Sequence, residues 1–180
     1  MSIFTNRASN SAAEAKEYTA AIIGLVGKQN PMEILASTEP ALRRAVQGLS
    51  PADAARPEAE GKWSVAQVAQ HLADSDLVWG WRLRQVLSLD RPAITGYDQD
   101  RWADRLRYDL ATIDEAIDQF RVLRAGNLRL LTRATPADLQ RVGVHSERGE
   151  ESVAHMIKMY AGHDLLHLRQ IERIRGALVR

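Results

Sequence analysis

The chain contains no cysteine among its 180 residues. This absence excludes disulfide bonds, thiolate metal ligands and a cysteine nucleophile. Any bound metal must therefore be held by histidine, aspartate or glutamate side chains. Any thiol that takes part in the chemistry must come from a second substrate.

A strong net charge and long apolar runs are also lacking. The 24 basic and 23 acidic residues give a formal net charge of +1, so nothing global attracts nucleic acid or an anionic membrane. The longest apolar stretch, residues 19–27, is shorter than the roughly 20 residues of a membrane span. Residues 1–7 have neither the basic nor the apolar region of a signal peptide. We therefore expect a cytoplasmic protein without a nucleic-acid or membrane partner.

The composition that is present is typical of a globular protein, with 45% hydrophobic and 26% charged residues. A chain of this length can fill one hydrophobic core and is short for two. We predict a single helical-bundle domain over residues 1–180, in which residues 1–10 form a loosely ordered N-terminal segment.

Helix-start signals recur along the chain. Ser11 and Glu14 have capping-box spacing and open a helix to about residue 28. Pro31 restarts a helix that ends near residue 48, and Pro40 marks a kink or a second start within it. Single helical turns are predicted at two capping signatures, Ser50-Pro51-Ala52-Asp53 and Thr135-Pro136-Ala137-Asp138.

Three further long helices are predicted after residue 63. Ser64 and Gln67 form a capping box that opens a helix to about residue 88. No stretch alternates with the period of two that a sheet requires, so the predicted fold is all-α, a four-helix bundle with irregular connections and short extra helices. The other predicted elements are a short helix around Trp102, a helix from Asp109 to about residue 133, a last helix over 151–178, and loops at 89–97 and 141–150.

Two histidines, His163 and His167, lie four residues apart in the last helix. At about 100° per residue, His167 falls on the apolar face and His163 on its flank. His71 lies in an earlier helix that is expected to pack beside this one. Three imidazoles from two packed helices leave open coordination positions, as a catalytic metal site requires. The alternative is that His167 is a neutral core histidine hydrogen-bonded to Asp164 or to a neighbouring helix.

Other polar residues accompany this histidine cluster. Asp164 and Gln170 share the polar part of the buried face, and Asp74 follows His71 by about one turn. Buried polar groups cost about 1–3 kcal/mol each unless they are satisfied. Asp164 and Asp74 are the candidates for orienting an imidazole or acting as a base.

Four further residues have less specific roles. His155 projects about 120° from His167 and is interpreted as a surface or interface histidine. His145 precedes the last helix, where it either lines a pocket or orders its loop. Trp79 is predicted to lie in the core, and Trp81 to point outward as a possible dimer contact.

Two segments resemble the DinB/YfiT-like superfamily of small metal-dependent four-helix bundles. They are Gly61-Lys62-Trp63-Ser64 leading to His71-Leu72-Ala73-Asp74, and His163-Asp164-Leu165-Leu166-His167 followed by Gln170-Ile171. The resemblance implies a metal held by His71, His163 and His167, and a homodimer. It also implies chemistry of the kind found in the family: S-transferases and isomerases that use thiols such as bacillithiol or mycothiol, or metal-dependent hydrolysis.

We therefore predict a metal-dependent enzyme that acts on a small-molecule substrate. Thiol-dependent S-transfer is the first choice and hydrolysis follows closely. Zinc or nickel is the favoured divalent metal, with a low-molecular-weight thiol as a possible cosubstrate. The alternative from another class is a non-catalytic, metal-binding stress-response scaffold.

Overall fold

The computed structural model of the protein describes residues 12–178. Four long helices, α2, α4, α6 and α8, pack in a closed ring of neighbours, and α1 packs on the outside of α8. The all-α bundle prediction is therefore confirmed in its main architecture. The helices are α1 (Ala12–Gly24), α2 (Pro31–Val46), α3 (Pro51–Ala55), α4 (Val65–Ser88), α5 (Gln99–Arg105), α6 (Ile113–Leu131), α7 (Pro136–Leu139) and α8 (Val153–Leu178).

The start of α4 is fixed by the capping box that the sequence predicts. The Ser64 hydroxyl accepts the Gln67 N–H at 3.3 Å, and the Gln67 side-chain oxygen accepts the Ser64 N–H at 2.8 Å. Reciprocal capping satisfies two N–H groups that the first helical turn leaves free. The capping box proposed at Ser11 lies outside the described residues.

Three helix boundaries differ from the prediction. Helix α1 ends at Gly24 and not near residue 28. The second helix continues through Pro40 without a new start. Helix α6 begins after Thr112 and not at Asp109, because Arg107 has a left-handed backbone with φ 59° and a 3₁₀ turn occupies Tyr108–Leu110. The Thr112 hydroxyl then caps the helix by accepting the Glu115 N–H at 3.3 Å.

A small three-stranded sheet lies where the sequence predicts loops. Strand β1 (Ala93–Ile94) pairs in parallel with β2 (Val142–His145), and β2 pairs antiparallel with β3 (Gly149–Ser152). Strands of two to four residues are too short to show the alternating pattern that identifies a strand. The pairing Ile94↔His145 carries His145 into the protein, where it is buried.

The core brings α8 into close contact with both α1 and α4. Trp79 is fully buried, as predicted, and stacks on Tyr160 with ring centroids 4.7 Å apart. A side-chain carbon on Gly162 would overlap the carbonyl oxygen of Ile22, so glycine permits the close approach of α1. Within the described ranges of the chain, no helix is both long and apolar enough to cross a membrane.

Candidate metal centre

The structure brings His71, His163 and His167 together in the middle of the bundle. The Nε2 atom of His163 lies 3.1 Å from Nε2 of His71 and 3.1 Å from Nε2 of His167. One ligand nitrogen from each ring lies within 4.8 Å of the other two. His71 comes from α4 and the other two from successive turns of α8, as the helical projection predicts. We call this group the histidine cluster.

The imidazoles of this cluster are held in their neutral form. Burial lowers the pKa of His71 and of His163 well below the usual value, and the other rings of the cluster lower both further. Burial also lowers the pKa of His167 to about 4, although the hydrogen bond that His167 donates to Gln170 and the charge of Asp164 oppose this shift. Neutral imidazole is the form that coordinates a metal.

The arrangement of donors and acceptors in the cluster favours a bound metal over three rings that hydrogen-bond only to one another. The Nδ1–H of His167 donates to the side-chain oxygen of Gln170 at 2.8 Å, which leaves a lone pair on its Nε2. One N–H on Nε2 of His163 cannot satisfy both neighbouring Nε2 atoms with good geometry. A cation between the three rings would satisfy all three lone pairs together, so these residues fit a divalent metal.

Asp164 lies beside the cluster and contacts an arginine. Its carboxylate accepts hydrogen bonds from Arg124 at 2.6 and 3.1 Å and from the Thr38 hydroxyl at 2.7 Å. These bonds engage both carboxylate oxygens, and its influence on His167 is electrostatic. That Asp164 assists the site through its charge on His167 remains a prediction.

Asp74 faces α6 and the 3₁₀ turn. It accepts the Tyr108 hydroxyl at 2.6 Å and side-chain N–H groups of Gln119 and Gln70 at 3.1 and 3.3 Å. Asp74 lies about one turn from His71 on α4, but the bonds from Tyr108 and Gln119 connect it to the 3₁₀ turn and to α6, and the bond from Gln70 lies within α4. A role for Asp74 as a base also remains a prediction.

The two histidines outside the cluster differ in burial. The side chain of His155 is 37% exposed and lies 3.9 Å from Glu151, which fits the predicted surface position. His145 is buried, and its Nδ1 accepts the Glu147 N–H at 3.1 Å. His145 therefore orders its own turn and also lines a cavity, so both interpretations of this residue hold.

That cavity adjoins the histidine cluster and contains residues that the sequence analysis did not select. Ser75 links the two, because its hydroxyl lies 3.4 Å from Nε2 of His71 and 3.1 Å from the Tyr97 hydroxyl. Helical spacing could have identified Ser75 and Arg82, which follow His71 by four and eleven residues on one face of α4. The polar residues of the wall are Tyr18, Ser75, Arg82, Tyr97, Gln99, His145, Glu147, Arg148, Tyr160 and His163.

The fold and the cluster define a class: a helical bundle with a three-histidine centre beside a polar cavity. Residues 34–171 match the family model of the DinB superfamily. The chain therefore belongs to the DinB superfamily, which confirms the resemblance seen in the sequence.

Individual relatives support this membership. A protein of Geobacillus kaustophilus, provisionally named a metal-dependent hydrolase, is 31% identical over 165 residues, which cover 91% of this chain and 85% of that protein. A protein of Oceanobacillus iheyensis with the same provisional name is 34% identical over 111 residues, covering 62% of this chain and 64% of that protein.

A solved structure has the same fold. YfiT from Bacillus subtilis, described as a probable metal-dependent hydrolase with an unusual four-helix bundle topology, aligns with a TM-score of 0.75 and 23% sequence identity. The alignment covers 96% of this chain and 92% of that chain. At this identity the likeness concerns the fold.

Proposed function

We propose that the chain is a metal-dependent hydrolase acting on a small molecule, with the metal held by His71, His163 and His167. The observation that carries this proposal is the convergence of three neutral imidazoles, in which Nε2 of His163 lies 3.1 Å from Nε2 of His71 and 3.1 Å from Nε2 of His167. Zinc and nickel are favoured because imidazole ligands suit both metals. The provisional names of the Geobacillus and Oceanobacillus relatives support hydrolysis as the reaction.

Each group of the site has a defined task in this proposal. When bound, a divalent metal lowers the pKa of a water or thiol and polarises an electrophilic group of the substrate. Gln170 fixes the ring of His167 in the orientation and tautomer needed for binding. Ser75 and Tyr97 present hydroxyl groups at the passage between the cluster and the cavity, where they can orient a substrate.

Thiol-dependent S-transfer is the second candidate reaction, and the absence of cysteine determines where its thiol must come from. Because the chain has no thiol of its own, such a reaction needs a low-molecular-weight thiol as cosubstrate. The polar cavity beside His163 offers a place for that molecule. The same site could serve both reactions, since the metal would activate either nucleophile.

The experiment begins with the zinc and nickel content of the purified protein and its affinity for added zinc. Hydrolysis of a panel of small esters and amides is then compared with consumption of bacillithiol and mycothiol in the presence of electrophiles. We expect zinc-dependent turnover that is lost in His167→Ala and kept in His155→Ala. Stoichiometric metal without turnover in either assay would contradict the enzyme proposal and favour the scaffold.

Assembly as a homodimer is a separate proposal. Trp81 is 63% exposed and Leu77, one turn earlier on α4, is 49% exposed. Large apolar side chains in adjacent positions are typical of protein contacts. Light scattering should give twice the 20.1 kDa mass of the chain, and Trp81→Glu should return it to the monomer mass.

A further inference from the structure

The cavity wall contains a buried guanidinium group that has no carboxylate partner among the described residues. Arg82 is 5% exposed, and its side chain donates to the Thr95 carbonyl oxygen at 2.7 Å and to the Tyr160 hydroxyl at 3.3 Å. None of the ion pairs within residues 12–178 includes it, whereas Arg124 pairs with two carboxylates in the same protein. A buried charge without a counter-charge is unfavourable, so a negatively charged group in the cavity would stabilise Arg82.

Arg82 also keeps hydrogen-bonding capacity for that ligand. A guanidinium has five N–H donors in a planar fork, and the two bonds to Thr95 and Tyr160 occupy only part of them. Both acceptors are neutral and leave the positive charge uncompensated. A forked donor of this kind matches the two oxygens of a carboxylate or phosphate.

A second donor in the same wall is His145. Its Nδ1 accepts the Glu147 N–H, so in the neutral ring the hydrogen lies on Nε2. This Nε2 is buried and has no hydrogen-bond partner among the described residues. Buried donors are almost always paired, and an acceptor in the cavity would pair this one.

The charges around His145 favour an acceptor that is negative. Burial, together with the charges of Arg148 and Arg82, lowers the pKa of His145 to about 4, and the charge of Glu151 opposes this shift. Arg148 is itself paired with Glu151, at 3.0 Å from Nη2. Glu147 also lines the cavity, so the local charge is mixed, and the balance at the His145 ring is positive.

We propose that this cavity binds an anionic group of the substrate, a carboxylate or a phosphate, between Arg82 and His145. Arg82 follows His71 by eleven residues on the same face of α4, which corresponds to about 16 Å between their Cα atoms. A small anionic substrate would therefore reach from the guanidinium to the histidine cluster at His163, which lines the same cavity.

This inference rests on the proposed function for the reaction, but anion binding itself does not need the metal. The test is calorimetric titration with malonate and with inorganic phosphate, at constant ionic strength set by chloride. Neutral malonamide, which has a shape similar to that of malonate but no charge, is the control. Each titration is made with zinc-loaded and with chelator-treated protein, so that binding to the metal is separated from binding to Arg82.

We expect malonate or phosphate to bind in both forms, and malonamide to bind in neither. Arg82→Gln should weaken binding by about tenfold or more, the effect of one charge-assisted hydrogen-bond pair. Arg82→Lys keeps the charge and should restore part of the affinity. His145→Phe removes the second donor and should weaken binding by a smaller factor. Arg121→Gln, which removes an exposed arginine of α6, is the matched control and should bind as the wild type does.

Equal anion affinity in the wild type and Arg82→Gln would overturn the proposal, as would equal binding of malonamide and malonate. If Arg82→Gln does not fold by circular dichroism, His145→Phe decides, and unchanged affinity in that variant overturns the site. Zinc binding without anion binding would reject this inference and leave the proposed function standing. Anion binding without zinc binding would support this inference and reject the proposed function.

Discussion

Two buried polar groups lie side by side between α4, α6 and α8, and they differ in how completely they are satisfied. The first, which we call the charged network, centres on Arg124. Its guanidinium donates to Asp76 at 2.7 Å and to Asp164 at 2.6 and 3.1 Å. Asn127 donates to the other oxygen of Asp76 at 2.7 Å, and Thr38 donates to Asp164. Every carboxylate oxygen of this network has a donor.

The histidine cluster, in contrast, has too few partners. The Nδ1 atoms of His71 and His163 are buried without a hydrogen-bond partner in the described part of the chain. Its Nε2 atoms converge on one another, and when each neutral ring carries its hydrogen on Nδ1, all three present a lone pair with no donor between them. Because buried polar groups are nearly always satisfied, we interpret the charged network as a structural element and propose the histidine cluster as a ligand site.

The largest effect should come from breaking the charged network. Arg124→Met leaves Asp76 and Asp164 buried without their counter-charge, which typically costs about 3–5 kcal/mol. Urea unfolding measures the loss. Arg121→Met, an exposed arginine on the same helix, is the control and should change stability by about 0.5 kcal/mol or less. Equal stability of the two variants would mean that the network does not support the fold.

Removing a histidine of the cluster should lower stability because metal binding is lost, in addition to any loss of packing. A native-state ligand at a hundredfold excess over its dissociation constant adds about 2.7 kcal/mol, so chelation should lower the melting temperature of the zinc-loaded wild type. His167→Ala should abolish this chelator sensitivity, and His155→Ala, on the same helix, should keep it. If His155→Ala lost the metal and His167→Ala kept it, the helical-face argument would fail.

A smaller effect would show how tightly the charged network is packed. A side-chain carbon on Gly80 would overlap the amide of Asn127, which holds Asp76. We expect Gly80→Ala to cost about 1–2 kcal/mol, the value of a displaced buried hydrogen bond. The control is Gly126→Ala, where the nearest atom lies at 3.8 Å and where alanine should stabilise the helix by up to about 1 kcal/mol. A neutral Gly80→Ala would show that Asn127 moves without loss.

The sequence predicted those parts of the site that depend on local structure. The capping box at Ser64 sets the start of α4, and helical spacing then places His71, His163 and His167 on facing sides of neighbouring helices. The burial of Trp79 follows from the same periodicity. These features need only the geometry of one helix at a time.

The parts that depend on distant residues could not be predicted. Helical projection places Asp164 on a buried face, but its partner Arg124 lies 40 residues away on another helix. The burial of His145 arises from the pairing of β2 with β1, whose strands are too short for a sequence signal. The anionic-group site follows from this pairing, because it brings His145 to the cavity that Arg82 lines.

The smallest effect per residue is expected in the metal-free protein, where each buried histidine should make the free energy of unfolding depend on pH. Burial lowers the folded-state pKa of His167 and of His145 to about 4, and those of His71 and His163 also fall well below the usual value. The unfolded chain then binds protons near pH 6.5, before the folded protein does. The stabilisation is complete above this range and is lost as pH falls toward about 4.

Linkage limits this loss to about 1.4 kcal/mol per pH unit for each histidine. Asp76 acts in the opposite direction, because burial raises its pKa to about 6 and protonation on acidification relieves its buried charge. Since four histidines oppose one aspartate, urea midpoints in chelator should fall from neutral pH downward. His167→Ala and His145→Phe should each give a shallower slope than His155→Ala. Midpoints that stay level or rise on acidification would show that the cluster is not held neutral by the fold, and the contrast with the charged network would disappear.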